Sequence, residues 1–153
     1  MDILAIKEAS APSDDGVWVS DDVHGLTGVR FHVLPSNSGT VSRHRDRSVL
    51  SFGGEMFDEE GKITDAGLDA LNSDEAVSTR MSEVLLLGWD GLTSGGKPFP
   101  HSVESAKSML ESDVFWAAVD KSIAHATVQF NAARKALAKN SQKPSGKSSK
   151  AAE

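Results

Sequence analysis

VLLLGWDGLTSGGKPFPHSVESAKSMLESDVFWAAV, residues 84–119, is the stretch whose reading decides the fold. The apolar run Val84–Leu87 ends at Gly88, a natural helix stop. Trp89-Asp90-Gly91 turns the chain, with Trp89 inward, and Thr93–Gly96 forms a second turn. Pro98 and Pro100 hold the next residues extended. Ser102 and Ser112 then start two helices in close succession. The segment thus sets one helix, a sharp reversal and two further helices around a Trp and Phe cluster. It brings no nucleophile, base and orienting group together, so it reads as architecture for binding.

Working upstream, Ser73-Asp74-Glu75 supplies a capping side chain and acids for a first turn, opening a helix over 73–87. Its apolar points are Val77, Met81, Val84, Leu85 and Leu87. Thr64-Asp65 caps a shorter turn through Leu68 and Leu71. Ser36 to Phe52 is polar, and the spacing from Val41 to Val49 permits a short helix capped by Ser36 or Ser38. Residues 16–20 and 29–34 carry strand character, the second with period-two alternation ended by Pro35, and together predict a β-hairpin. A lone hairpin is marginal in water and must lie on helices or a partner. Residues 1–15 form a flexible lead-in, with a short helix at 2–9 as an option.

Downstream, Ser102-Val103-Glu104 opens a helix over 102–111. The last helix spans 113–139, with Phe115, Val119, Ile123, Ala126, Phe130, Ala133 and Leu137 on one stripe. Residues 139–153 have the composition of a disordered basic tail. The expected fold class is α+β, mainly α-helical: a small N-terminal β-hairpin packed on a helical C-terminal part, one globular domain over 16–138.

Charge is divided between these parts. The net charge is −6, yet six of the 16 basic residues and only one of the 22 acids lie beyond residue 133. The body is therefore at −11 and the tail at +5. An acidic body disfavours nucleic-acid phosphates as a partner. The chain has no cysteine, which removes disulfides, thiolate metal sites and cysteine nucleophiles. The acidic Met1–Glu8 start does not read as a signal peptide, and no apolar run approaches the ~20 residues of a membrane span.

Several patterns invite chemistry and are better read as structure. His24, His32, His44, His101 and His125 lack H-x-x-x-H spacing. Arg43-His44-Arg45-Asp46-Arg47 is a basic knot, but its sequence neighbours supply no aromatics for a phosphate or base contact. Asp58-Glu59-Glu60-Gly61-Lys62 has too few ligand positions for a calcium loop. Gly91–Lys97 has G-x-x-x-x-G-K spacing, but Pro98 stands where a phosphate loop needs a hydroxyl opening a helix. No catalytic, cofactor-binding or metal-ligating residue is assigned. Trp89, Phe99 and Trp116 are the candidate partner-binding residues, an apolar surface for another protein. Trp116, one residue off the core stripe, is expected to be partly exposed and to form a rim with Phe99.

Gly16-Val17-Trp18-Val19, Leu86-Leu87-Gly88-Trp89-Asp90-Gly91-Leu92, Gly95-Gly96-Lys97-Pro98-Phe99-Pro100 and the helices from Ser102 together carry a resemblance. Over residues 16–34 and 80–135 the chain resembles the tail assembly chaperones of tailed bacteriophages. The resemblance implies a non-enzymatic virion-assembly protein of the host cytoplasm that binds the tape-measure protein, with the tail-tube protein as a further partner. It implies no cofactor and leaves self-association open. Such chaperones are often made in two lengths by a frameshift, which here would fall in the Lys/Ser-rich end. The alternative in the same setting is a structural virion component such as a head–tail connector or minor tail protein. A small enzyme or nucleic-acid-binding regulator would instead need a basic face with exposed aromatics, or a cleft gathering His32, His44 and an acid.

Overall fold

The computed structural model describes residues 15–151, with side chains through 140. Most of the lead-in and its optional helix at 2–9 lie outside the described residues. Val17–Val19 (β1) pairs antiparallel with Arg30–Val33 (β2), matching Trp18 to His32 and Val19 to Phe31, so the expected hairpin forms. A single turn of helix, Asp21–His24 (α1), fills the link between them and ends at Gly25.

The hairpin has a third strand that was not expected. The helix opened at Ser73 covers only Asp74–Arg80 (α4) and loosens into a π-helical segment, Met81–Leu85, closed by a Leu86 N–H to Met81 carbonyl bond. Leu86–Asp90 (β3) then pairs antiparallel with β2 in the order β1-β2-β3. The expected 73–87 helix is corrected by that pairing. β2 has a free edge once β1 is in place, and unpaired backbone groups there demand partners. A helix continuing through Gly88 would give up about 1 kcal/mol at that residue and leave the edge open. The pairing skips from Gly88 to Leu86 opposite His32 and Val33, so a β-bulge carries Leu87.

The middle of the chain follows its caps. Ser38 accepts a bond from the Val41 amide and opens Gly39–Leu50 (α2), the helix the 41–49 spacing permitted. After a 3-10 turn at Gly54–Met56, Thr64 caps Asp65–Leu71 (α3), and Ser73 caps α4 through the Ala76 amide. Beyond β3, Thr93–Ser94 (β4) and Lys97–Pro98 (β5) form a small hairpin. Its turn residues Gly95 and Gly96 both have positive φ, as tight two-residue hairpins favour. The phosphate-loop spacing is therefore a hairpin turn. A reciprocal Ser102–Ser105 cap opens Val103–Met109 (α5).

Asp113–Ala151 (α6) is the longest element. It extends past the 139 boundary at which a disordered tail was expected. Once the first turns are fixed by packing, further residues extend an existing helix without a new nucleation cost, although Pro144 brings no amide to it. Its buried stripe is Phe115, Ala118, Val119, Ser122, Ile123, Ala126 and Phe130. Ala133 is exposed and Leu137 half-buried, so the stripe fades beyond Phe130. Val19, Phe31, Val33 and Leu86 meet this stripe from the sheet, and Met81, Val84, Leu85, Ala106 and Leu110 close the core. Each large side chain so buried contributes about 1.5–3 kcal/mol. Ser36 and Asn37 tie the loop after β2 to Thr127 and Asn131 of α6. The result is an α+β domain, mainly helical, with a three-stranded sheet on a long helix and a two-stranded hairpin beside it. Among the described residues no helix is long and apolar enough to cross a membrane.

Candidate partner-binding surface

Two of the three candidate residues belong to one packed cluster. Trp89 is half-buried on the core side of β3, opposite Phe31. Its indole N–H donates to the Phe99 carbonyl at 2.7 Å, and its ring lies parallel to that of Phe99 at 5.8 Å between centroids. The Phe115 and His101 rings stand edge-on to it at 5.9 and 4.8 Å. Burial holds the His101 imidazole below its usual pKa, against an opposing hydrogen bond with the Leu86 backbone. Phe99 is also half-buried, and its amide is bonded to the Leu92 carbonyl. Trp89 and Phe99 therefore serve to seat the β4–β5 hairpin on the sheet and α6. The expectation of a mostly buried Trp89 is met only in part.

Trp116 goes elsewhere. Phe115 faces Trp89, and the next residue on an α-helix lies about 100° further round the axis. Trp116 is half-buried and, with Leu110, lines an open hollow of about 370 Å³ flanked by Asp74 and Asp113. Among the described residues it makes no ring contact, and the rim with Phe99 is not formed. The hollow has an apolar floor and acidic walls contributed by the starts of α4 and α6.

The largest exposed aromatic surface was missed. Trp18 is 49% exposed on the outer face of the sheet and stacks on His32, rings 4.8 Å apart and nearly parallel. The Arg30 guanidinium lies 4.9 Å from the Trp18 ring and is paired with Asp90 at 2.8 Å. Period-two parity was the signal available: with Val17 and Val19 inward, Trp18 must face out, and Arg30 and His32 alternate with Phe31 and Val33 likewise. Asp90 matches the Arg30 charge, so this is an aromatic patch rather than a basic face. His32 reaches the Asp15 carbonyl at 2.7 Å, whereas His44 lies 3.2 Å from the Glu83 carboxylate on α2's side of the molecule. The two histidines thus have separate partners and do not form one cleft.

Comparison with known protein families, with characterised proteins and with solved structures finds no match for the chain.

Proposed function

We propose that the chain is a tail assembly chaperone of a tailed phage, a non-enzymatic protein that holds the tape-measure protein in the host cytoplasm during tail assembly. The motif resemblance supplies the setting, and the Trp116 hollow is the observation that carries the reading. A long tape-measure chain exposes apolar helical stripes before the tube closes around it. A half-buried Trp beside Leu110 offers such a stripe an anchor, because an aromatic side chain presents a large apolar area with few rotatable bonds to fix. Asp74 and Asp113 at the walls favour a stripe flanked by Lys or Arg, and the body at −11 steers basic segments toward it. The occupant is thus a basic amphipathic helix of the tape-measure protein.

Co-expression with the tape-measure protein followed by pull-down tests the reading. Trp116→Ala should lose most of the captured partner while its melting temperature falls little. Equal recovery with wild type and a folded Trp116→Ala variant would remove the hollow from the account. Stoichiometric presence of the protein in purified particles would reassign it as a virion component.

A further inference from the structure

The basic knot on α2 meets a partner that its sequence neighbourhood does not reveal. α2 packs beside the corner between α3 and α4, leaving an open cavity of about 320 Å³ there. This is at the small end of ligand pockets, which run to roughly 300–1,000 Å³. One wall is apolar, with Phe52, Leu71 and Ala76; the other presents His44, Ser48 and Arg80. Arg80 Nη2 donates to the Leu71 carbonyl at 3.1 Å, which fixes the guanidinium across the corner. Its Nε is buried and has no partner. His44 Nε2 is held by Glu83 at 3.2 Å, and its Nδ1 is likewise buried and unpartnered. Two cavity-lining side chains therefore each keep one buried polar nitrogen unpaired, an arrangement that native proteins rarely leave unused. Burial and then Arg45 both disfavour the Arg80 charge.

From this geometry we infer that the cavity binds an oxyanion carried on a short apolar stem, such as an aryl or alkyl carboxylate or phosphate monoester. Both nitrogens are shut off from solvent as the side chains rest, so a small turn of each opens them to the cavity: the oxyanion then takes the Arg80 Nε–H, and the Nδ1–H of a His44 imidazolium whose other N–H stays on Glu83. The stem lies against Phe52, Leu71 and Ala76. An anion there relieves the Arg80–Arg45 repulsion and satisfies both orphaned nitrogens, and a guanidinium is suited to forked oxyanion contacts. Exposed Glu75 on the rim opposes a second negative charge, so singly charged carboxylates suit the site as well as phosphates. The site adjoins the Trp116 hollow at the start of α4, where Ser73 and Glu75 line one and Asp74 the other, but it does not rest on the chaperone reading.

Titration of the full chain with phenyl phosphate, benzoate, inorganic phosphate and benzyl alcohol, followed by amide NMR at matched chloride ionic strength, tests it. Phenyl phosphate and benzoate should saturate, with shifts gathered on 44–52 and 70–80. Inorganic phosphate should bind about tenfold more weakly for want of the stem, and benzyl alcohol should not saturate. Arg80→Lys, which keeps charge but loses the Nε fork, should weaken benzoate about tenfold. Because that variant also loosens the Leu71 corner, Ser48→Leu provides a second arm. The Ser48 hydroxyl donates to the His44 carbonyl of its own helix, a bond the helix does not need, so Leu there should fill the cavity and abolish saturation with the fold intact. Shifts scattered over the surface, equal response to chloride, or saturation surviving in both variants would overturn the site.

Discussion

Gly91 shows how a single position can be fixed by backbone approach. Its φ is +90°, and a Cβ there would run into the carbonyl of Gly28, with the Val29 Cα also in the way. Alanine therefore meets both a left-handed backbone and a rigid obstacle. Gly91→Ala should cost about 2–5 kcal/mol, summing those two penalties, measured as a shift in the urea midpoint. His101 makes a different prediction at the same scale. Its folded pKa lies below the unfolded value because burial disfavours the cation. The unfolded chain then binds the proton first as pH falls, so this contribution to stability is full above the unfolded pKa of about 6.5 and is lost as pH drops through the folded value. Stability measured from pH 7.5 downward should fall less steeply in His101→Phe than in wild type. An unchanged slope would show that His101 does not titrate between the two states.

Among the elements, the caps were legible and the strand β3 was not. Ser38, Thr64, Ser73, Ser102 and Ser112 each stand where a helix begins, because an N-cap is a local bond written in two or three residues. β3 depends on pairing with a strand far upstream, and Val84-Leu85-Leu86-Leu87 fits a buried helix or strand equally well by periodicity. Gly88 tipped the reading toward a helix stop, yet its φ is not positive and an added Cβ would make only an ordinary contact with His32. Gly88→Val should therefore be tolerated to within about 1 kcal/mol, since β-branched residues suit strands. A loss comparable to that of Gly91→Ala would restore the helix-stop reading. The candidate surface was legible in the same uneven way. Trp89, Phe99 and Trp116 were visible as aromatics, but their sorting into a locked cluster and an open hollow rests on the 115–116 helical phase and the β4–β5 hairpin. Trp18 is legible as an outward residue from parity alone, although its place in a strand and in the Gly16–Val19 motif draws the eye first.

At the scale of the whole molecule, β2 is the middle of the sheet in space but not in time. Its β1 neighbour precedes it closely, whereas Leu86, the partner of Val33, follows about fifty residues later. A nascent chain elongating at about 5–20 residues per second carries an open β2 edge for roughly 3–10 s before β3 is made. During that interval β2 is a template for any other extended segment, including its own copy on a neighbouring ribosome. Alternate residues of β2 point their amides to opposite neighbours, so pulse-labelled hydrogen exchange during refolding should protect them in two steps, the β1-facing set first. Simultaneous protection of both sets would mean that the distant strand docks as early as the near one. Translation pausing before codon 86 would then no longer be a hazard for this chain; with two-step protection, it is the point at which aggregation should be greatest.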